Sequence, residues 1–283
     1  MNDGLSAGRS SQSQNRLDIN DKWHNHSGRN DIWVALFSYH VWLILGWHDI
    51  KQRYRRSVLG PFWFTLSTLI MVGVLGILYS TLLNQDITDY LPYLGVGLVV
   101  WQYISTCLNE GSNTFIVYGY IMKQVRMPLT THVTRVIWRN VIILFHSLPV
   151  VVFLMVVFGH PISWEIVWLV PGMLLLVLNT LWMSIALSII CTRYRDILPI
   201  VTNLVQIAFF FTPIMWSKDL LKDRAWAADI NPFHHMIEIV RAPILGEPIS
   251  LLSWAWSVAL VIVGFIFAQY LMQKCRNRVP YWL

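Results

Sequence analysis

A basic cluster stands directly before a long uncharged segment of this sequence. It consists of Lys51, Arg53, Arg55 and Arg56. An arginine guanidinium clamps phosphate oxygens with two parallel hydrogen bonds, so the arginines are candidate ligands for a phosphate group at the height of lipid head groups. Basic residues beside a first membrane span also hold that flank in the cytosol. Both interpretations of the cluster stay open.

Residues suited to covalent or acid–base chemistry are scarce in the apolar segments. These segments contain no Asp, Glu, Lys or Arg, and His146 is their only residue that could relay a proton. Ion-coupled carriers usually keep ionisable groups at membrane depth, so the pattern argues against them. Cys107, Cys191 and Cys275 lack metal-ligand spacing, and the chain has no G-x-x-x-x-G-K-[ST] phosphate loop. Any ATP that drives this protein is therefore expected to bind another polypeptide.

The apolar segments that must position these residues dominate the chain. Of its 283 residues, 55% are hydrophobic and 13% are charged, whereas soluble proteins carry about 25% charged residues. This composition predicts an all-α integral membrane protein with six transmembrane helices. The first span has 22 uncharged residues, which as a helix reach about 33 Å, enough for a hydrocarbon core of about 30 Å. The predicted spans are about 62–83, 91–108, 141–158, 166–190, 197–216 and 251–272.

The polar segments set the orientation of the six-span region, 62–283. Residues 1–30 are predicted to be a disordered cytosolic tail, and 31–61 an interfacial amphipathic helix followed by the basic cluster. Segment 217–250 is predicted to be external, with short amphipathic helices that lie against the membrane. It holds four of the 21 Lys and Arg residues, which leaves 17 on the cytosolic side together with both termini.

One inner loop, 109–139, is long enough to contain a helix. In its 31 residues, Ser112 or Asn113 can cap a short helix that Met127-Pro128 ends near Arg126. The alternative is a basic loop that only keeps its side of the membrane in the cytosol.

Five short motifs, in this order and on this topology, resemble ABC-2 type polysaccharide exporter permeases. They are Arg-Tyr-Arg-Arg-Ser-Val-Leu-Gly-Pro-Phe-Trp at 53–63, Arg-Tyr-Arg-Asp-Ile at 193–197, Phe-Phe-Thr-Pro-Ile at 210–214, Asn-Pro at 231–232 and Tyr-Trp-Leu at 281–283. The resemblance covers most of the chain from about residue 45. It is strongest to the permeases of O-antigen exporters, which serve lipopolysaccharide biosynthesis. Capsule and teichoic acid permeases are the next most similar.

The resemblance implies the ABC-2 (type V) exporter fold and a half-transporter rather than an enzyme. Two copies would form a channel in the bacterial inner membrane, and two copies of a separate ABC ATPase subunit would bind ATP and Mg²⁺. This chain would bind no cofactor and no nucleic acid. Its cargo would be a glycan on undecaprenyl diphosphate, moved from the inner leaflet among the membrane lipids to the periplasmic side.

The resemblance also implies three groups of site residues. Arg53, Arg55 and Arg56 would contact the lipid diphosphate. Aromatic rings, on which sugar C–H groups pack, would line the channel, although the same rings serve equally as interfacial belts: Trp63, Trp101, Tyr103, Phe210 and Phe211. The inner-loop helix and a second inner turn would couple to the ATPase through Asn113, Val117, Tyr118, Lys123, Arg126, Pro128, Arg195 and Asp196.

Two other functions remain open at this point. One is an ABC-2 permease for a drug or another lipid. The other is a membrane glycosyltransferase or acyltransferase, which needs converging acids or histidines. This topology places Glu110 and Glu165 on opposite sides of the membrane and so disfavours the enzyme.

Overall fold

The computed structural model describes residues 31–55, 57–58, 60, 62–125, 127–161, 163–218, 220 and 224–283. These residues form helices and connecting loops, and no strand occurs among them. A short 3-10 helix, Trp164–Trp168, leads into α7. The α-helices are α1 (Asp31–Phe37), α2 (Tyr39–Tyr54), α3 (Phe62–Leu83), α4 (Ile87–Ser112), α5 (Thr114–Gln124), α6 (Thr130–Val157), α7 (Leu169–Arg193), α8 (Ile197–Phe211), α9 (Trp226–Asp229), α10 (Pro232–Leu245), α11 (Leu251–Cys275) and α12 (Val279–Trp282).

Five helices are long and apolar enough to cross a membrane, namely α3, α4, α6, α7 with its 3-10 lead-in, and α11. The first predicted span, 62–83, has the same bounds as α3. Helix α4 lies at the centre of the bundle, in contact with α3, α6, α7, α8 and α10. Of an 18-residue apolar stretch of α4, 78% of the residues are buried, against 22% for the corresponding stretches of α3 and α11. Helices α3 and α11 therefore form the apolar rim of the bundle.

The predicted fifth span, 197–216, is helical only as far as Phe211, where α8 ends. Pro213 disfavours helical geometry at Thr212, whose backbone is extended (φ −91°, ψ 137°). The 15 residues of α8 reach only about 22 Å, which is short of a hydrocarbon core of about 30 Å. Within the described residues, α8 is therefore an apolar helix that ends before it can cross a membrane alone.

Helix α10 corrects the expectation that segment 217–250 lies against the membrane surface. Ten of its 14 residues are buried, and it packs between α4, α7 and α11. Asn231 caps its start by accepting from Phe233 N, and Gly246 ends it in the left-handed region (φ 70°). Its path is so close to α7 that a Cβ at Gly172 would lie 2.4 Å from Ile239 O. An apolar helical stripe fits a membrane surface and a protein interior equally well, which explains the error.

The predicted inner loop, 109–139, is mostly helical. The short helix predicted in it is confirmed as α5, with Asn113 at its N-cap position but no side-chain capping bond. Helix α4 runs past 108 and α6 begins well before 141, so Glu110, Arg135 and Arg139 lie on long helices that hydropathy windows cut short. We call the end of the bundle where these charges, α5 and α12 lie the charged end.

Asp31 ties three segments of the charged end together. Its carboxylate, 1% exposed, accepts hydrogen bonds from Leu129 N (3.3 Å), Thr130 N (3.0 Å) and Thr130 Oγ1 (2.9 Å). It thereby caps α6, whose first turn has unsatisfied N–H groups directly after Pro128. Arg276 Nε lies 3.2 Å from Asp31 Oδ1. The position of α1 is therefore coupled to the start of α6 and the end of α11.

Candidate functional site: a polar groove and a buried charge network

A groove runs along the outer face of the bundle between α3, α4 and α8, with a cavity volume of about 520 Å³. Seven of its 13 lining residues carry hydroxyl or amide side chains, although the helices on either side expose Leu, Ile and Val. The lining residues are Ser67, Thr68, Met71, Leu98, Trp101, Gln102, Ser105, Asn109, Thr202, Val205, Gln206, Phe209 and Phe210.

Helical spacing brings the polar residues of α4 onto the groove. Gln102, Ser105 and Asn109 are three and four residues apart, so they share one face of the helix. Thr68 Oγ1 donates to Gln102 Oε1 at 3.0 Å, and Asn109 Nδ2 donates to Ser105 O at 2.9 Å. Among the described residues, the buried Asn109 Oδ1 accepts no hydrogen bond. The polar residues of this face of α4 thus form one wall of the groove.

Two of the predicted aromatic residues line this groove. Trp101 is 7% exposed, and its ring centroid lies 5.9 Å from that of Phe209 and 5.5 Å from that of Phe233. Phe210 lines the groove near the end of α8 and is 61% exposed. The groove thus combines hydrogen-bonding groups with exposed ring faces.

The structure places the other three predicted aromatic residues elsewhere. Trp63 lies on an adjoining apolar surface of α3. Tyr103 is buried, forms a hydrogen bond with Thr180 Oγ1 (3.0 Å) and lines an inner cavity between α4 and α6. Phe211 is exposed but does not line the groove.

A network of five charged residues joins α2, α4 and α6 at the charged end, with Asp49, Arg135 and Arg139 largely buried and the Arg53 side chain 34% exposed. Arg135 Nε donates to Asp49 Oδ2 at 2.6 Å, and Arg135 Nη2 contacts Asp49 Oδ1. Arg139 reaches both acids, with Nη2 2.6 Å from Glu110 Oε2 and Nη1 3.4 Å from Asp49 Oδ2. Arg53 Nη2 completes the network 2.6 Å from Glu110 Oε1. With three cations and two anions, this charge network has a formal net charge of +1.

Tyr118 connects α5 to the charge network. Its hydroxyl donates to Asp49 Oδ2 (3.2 Å) and accepts from Arg139 Nη1 (3.3 Å). The guanidinium of Arg135 lies 4.4 Å from the centre of its ring, and the His132 ring stacks on it. Burial raises the pKa of Tyr118, so the phenol keeps its proton and remains a donor at neutral pH. Through Glu110 and Arg139, the structure thus connects Arg53, which is predicted to contact the lipid diphosphate, to Tyr118, which is predicted to couple to the ATPase.

The remaining predicted residues lie around the charge network without joining it. Val117 is 61% exposed on the outward face of α5, and Pro128 is buried at the end of the α5–α6 loop. Arg56 and Arg126 lie outside the described residues. The others are Arg55, Lys123, Arg195 and Asp196, which are exposed, and Asn113, which is half-buried.

The Tyr-Trp-Leu motif packs against the charged end. Helix α12 contacts α5 and α7, and a Cβ at Gly119 of α5 would lie 3.2 Å from Leu283 Cδ2. The Arg193 guanidinium lies 5.0 Å from the centre of the Trp282 ring. Tyr281 is 89% exposed beside them. This motif therefore supports α5 from the side.

Sequence reasoning missed the partners that organise both sites. The sequence alone gives no role to Asp49, Arg135 and Arg139, because they lie outside the uncharged segments that are predicted to span the membrane. The i, i+4 spacing of the two arginines was a usable signal for one charged helix face. Gln102 and Asn109 were likewise visible as polar residues on one face of α4, but which helices face them depends on tertiary packing.

A bundle of long apolar helices with a polar groove on its outer face is the architecture of a multi-pass membrane transport protein. The chain belongs to the ABC-2 type transporter family, whose family model matches residues 40–245.

Similar curated proteins carry a more specific name. An O-antigen export system permease protein RfbA from Myxococcus xanthus is 30% identical, over 82% of this chain and 93% of the relative. Two proteins of the same name from Klebsiella pneumoniae are 25% and 24% identical, over 76% and 77% of this chain and 86% and 84% of the relatives.

Proposed function

We propose that this chain is the permease subunit of an ABC exporter for O-antigen on undecaprenyl diphosphate. Two copies form a channel of the ABC-2 (type V) kind in the bacterial inner membrane, and two copies of a separate ATPase subunit bind ATP and Mg²⁺. The charged end and both termini face the cytosol, and the cargo leaves toward the periplasm. In this proposal α8 and the segment beyond it form the fifth of six spans. The names of the similar proteins support O-antigen as the cargo.

The polar groove is the observation that carries this proposal. On the outer face of a single bundle it would meet lipid, where a polar group without a hydrogen-bond partner costs about 1–3 kcal/mol. A second copy that covers the groove removes this contact and leaves an enclosed polar path. Asn109, Gln102 and Gln206 can then bond sugar hydroxyls, while Trp101 and Phe210 offer ring faces to sugar C–H groups.

The outward face of α5 supports the placement of the ATPase. Val117 and Tyr120 are 61% and 75% exposed, while Tyr118 on the opposite face enters the charge network. This face lies at the charged end, beyond the apolar windows, so a protein partner is a better match for it than lipid. An ATPase that docks there moves α5 and, through Tyr118, the arginines of α6.

The charge network also supports a link between cargo and ATPase. A diphosphate bound by Arg53, Arg55 and Arg56 would compete with Glu110 for the Arg53 guanidinium. Glu110 would then retain Arg139 and Asn140, the latter at 2.9 Å. Because Arg139 also contacts Tyr118, loading of the cargo changes the hydrogen bonds of α5. Coupling requires such a change, because the cargo and the ATPase must both shift the equilibrium between two arrangements of the same helix, here α5.

The proposal is tested by making the groove apolar and measuring glycan export. In cells that produce the chain with its ATPase subunit, Gln102→Leu combined with Gln206→Leu is expected to lower surface glycan about tenfold, equivalent to about 1.4 kcal/mol. The matched control, Ile262→Leu on the apolar rim, should export normally. The ATPase subunit should co-purify with both variants. Native export from the doubly substituted protein would remove the groove from the transport path.

A further inference from the structure

The chain directly after α8, at 212–217, is irregular, although Thr212, Pro213, Ile214 and Met215 are buried. Irregular backbone at membrane depth is tolerated only where protein groups or water satisfy its carbonyls. The partners of these carbonyls therefore hold the segment in place.

Two tyrosines of α4 hold this segment from one side. Tyr90 OH donates to Met215 O at 2.7 Å. Tyr93 OH lies 3.3 Å from Pro213 O and 3.2 Å from Trp216 O. Both rings belong to the central helix of the bundle, so the segment is anchored to its most buried element.

Arg241 of α10 holds the same segment from the other side. Its side chain is fully buried, and Nη2 donates to Pro213 O at 2.9 Å. The guanidinium lies 4.1 Å from the centre of the Tyr93 ring, and Nε lies 3.5 Å from Glu238 Oε2. Pro213 O thus accepts from Arg241 and from Tyr93 at once.

The guanidinium of Arg241 is not fully used in this arrangement. Among the described residues, neither Nε nor Nη1 finds a hydrogen-bond partner. Buried ion pairs contribute little net stability compared with well-packed apolar side chains of the same size, so stability alone explains this arginine poorly. Its one hydrogen bond, from Nη2 to Pro213 O, goes to the irregular segment, so holding that segment in place is the role that the geometry supports.

We infer that Arg241 is a positioning residue that holds the segment directly after α8 and so fixes Phe210 at the end of the polar groove. Pro213 is three residues beyond Phe210, and Trp216 Nε1 donates to Phe210 O at 3.2 Å, so displacement of the clamped segment displaces Phe210 as well. The inference depends on the proposed function only where it treats the groove as the transport path.

The experiment measures how exposed position 210 is when the clamp is altered. Phe210→Cys is placed in a full-length chain in which Cys107, Cys191 and Cys275 are replaced by Ala, and it is labelled in intact cells with a membrane-impermeant maleimide. Arg241→Met is expected to raise the labelling rate about tenfold, a shift of about 1.4 kcal/mol toward the displaced arrangement. Arg241→Lys, which keeps the charge but not the fork of donors, should restore part of the slow rate.

Two further variants distinguish positioning from a general loss of structure. Tyr93→Phe keeps the ring and removes one donor, so we expect a smaller increase. Its combination with Arg241→Met should raise the labelling rate by a factor different from the product of the two single effects, because both residues act on Pro213 O. A cysteine at Thr88, which is exposed on α4 and lies outside the clamped segment 212–216, should react at the same rate in every variant if only that segment moves.

The outcomes separate this inference from the proposed function. Faster labelling at position 210 with an unchanged rate at Thr88 supports the clamp even if the cargo proves to be something other than a glycan. The inference is overturned if position 210 in Arg241→Met is labelled within about twofold of its rate in the chain that keeps Arg241, a difference of about 0.4 kcal/mol. This holds whether or not export is lost. If Arg241→Met does not assemble, Arg241→Lys and Tyr93→Phe are judged by the same criterion.

Discussion

Arg139 is the residue whose loss should disturb the charge network most, because it alone contacts both acids and Tyr118. Arg139→Met keeps the length of the side chain and removes its donors. Breaking a buried ion pair costs about 3–5 kcal/mol when the remaining charge is left alone. Here Glu110 keeps Arg53 and Asp49 keeps Arg135, and the Glu110 side chain is 26% exposed. We therefore expect a loss of about 2 kcal/mol in the free energy of unfolding, below that range.

The assay is unfolding in mixed detergent micelles, followed by circular dichroism, for a double-mutant cycle. Glu110→Gln is the partner substitution, because it removes the charge and keeps a hydrogen-bonding side chain. If the residues act as one network, the double variant should be more stable than the sum of the single losses predicts, by about 1 kcal/mol or more. Single losses that add within about 0.5 kcal/mol would refute the network, as would Arg139→Met with native stability.

Three further predictions concern the two ends of the bundle. Asp31→Ala removes the cap of α6 and the partner of Arg276, so the free energy of unfolding should fall by about 2 kcal/mol in the same assay, whereas Asp31→Asn should retain part of the cap. Burial lowers the pKa of His234 to about 3, with Arg241 adding to the effect, so the unfolded chain binds a proton below about pH 6.5 that the folded chain does not. Stability is therefore complete above pH 6.5 and should fall by about 2 kcal/mol between pH 6.5 and 5, and a flat profile, or one unaltered by His234→Gln, would contradict this assignment. Tyr281→Ala should weaken co-purification of the ATPase subunit, and Tyr270→Ala, on the lipid-facing rim, should leave it unchanged.

The first span could be predicted to the residue, because its limits are local. Pro61 precedes its uncharged run, and Asn84, with a positive φ of 52°, follows its last residue. The start of α6 could not be predicted in this way. Its first turns carry Arg135 and Arg139, and only the facing acids on α2 and α4 make it possible to bury them.

The groove and the position of α10 also could not be predicted from the sequence alone. The polar face of α4 was visible as a pattern, yet a polar face within one span either bonds to a neighbouring helix or lines a path. Which of the two applies depends on α3 and α8, which pack beside it. In α10, the buried Arg241 looked like an external basic residue because its partners, Tyr93 and Pro213, are distant in sequence.

The most direct test of the central claim is whether the groove contains water in the membrane. In the chain without native cysteines, Gln206→Cys on the groove and Ile266→Cys on the apolar rim are compared, since both side chains are exposed on the surface of the single bundle. A small charged thiosulfonate should modify the cysteine at position 206 and leave the one at position 266 unmodified. The same low reactivity at both positions would mean that the groove faces lipid, and the proposed path would be wrong.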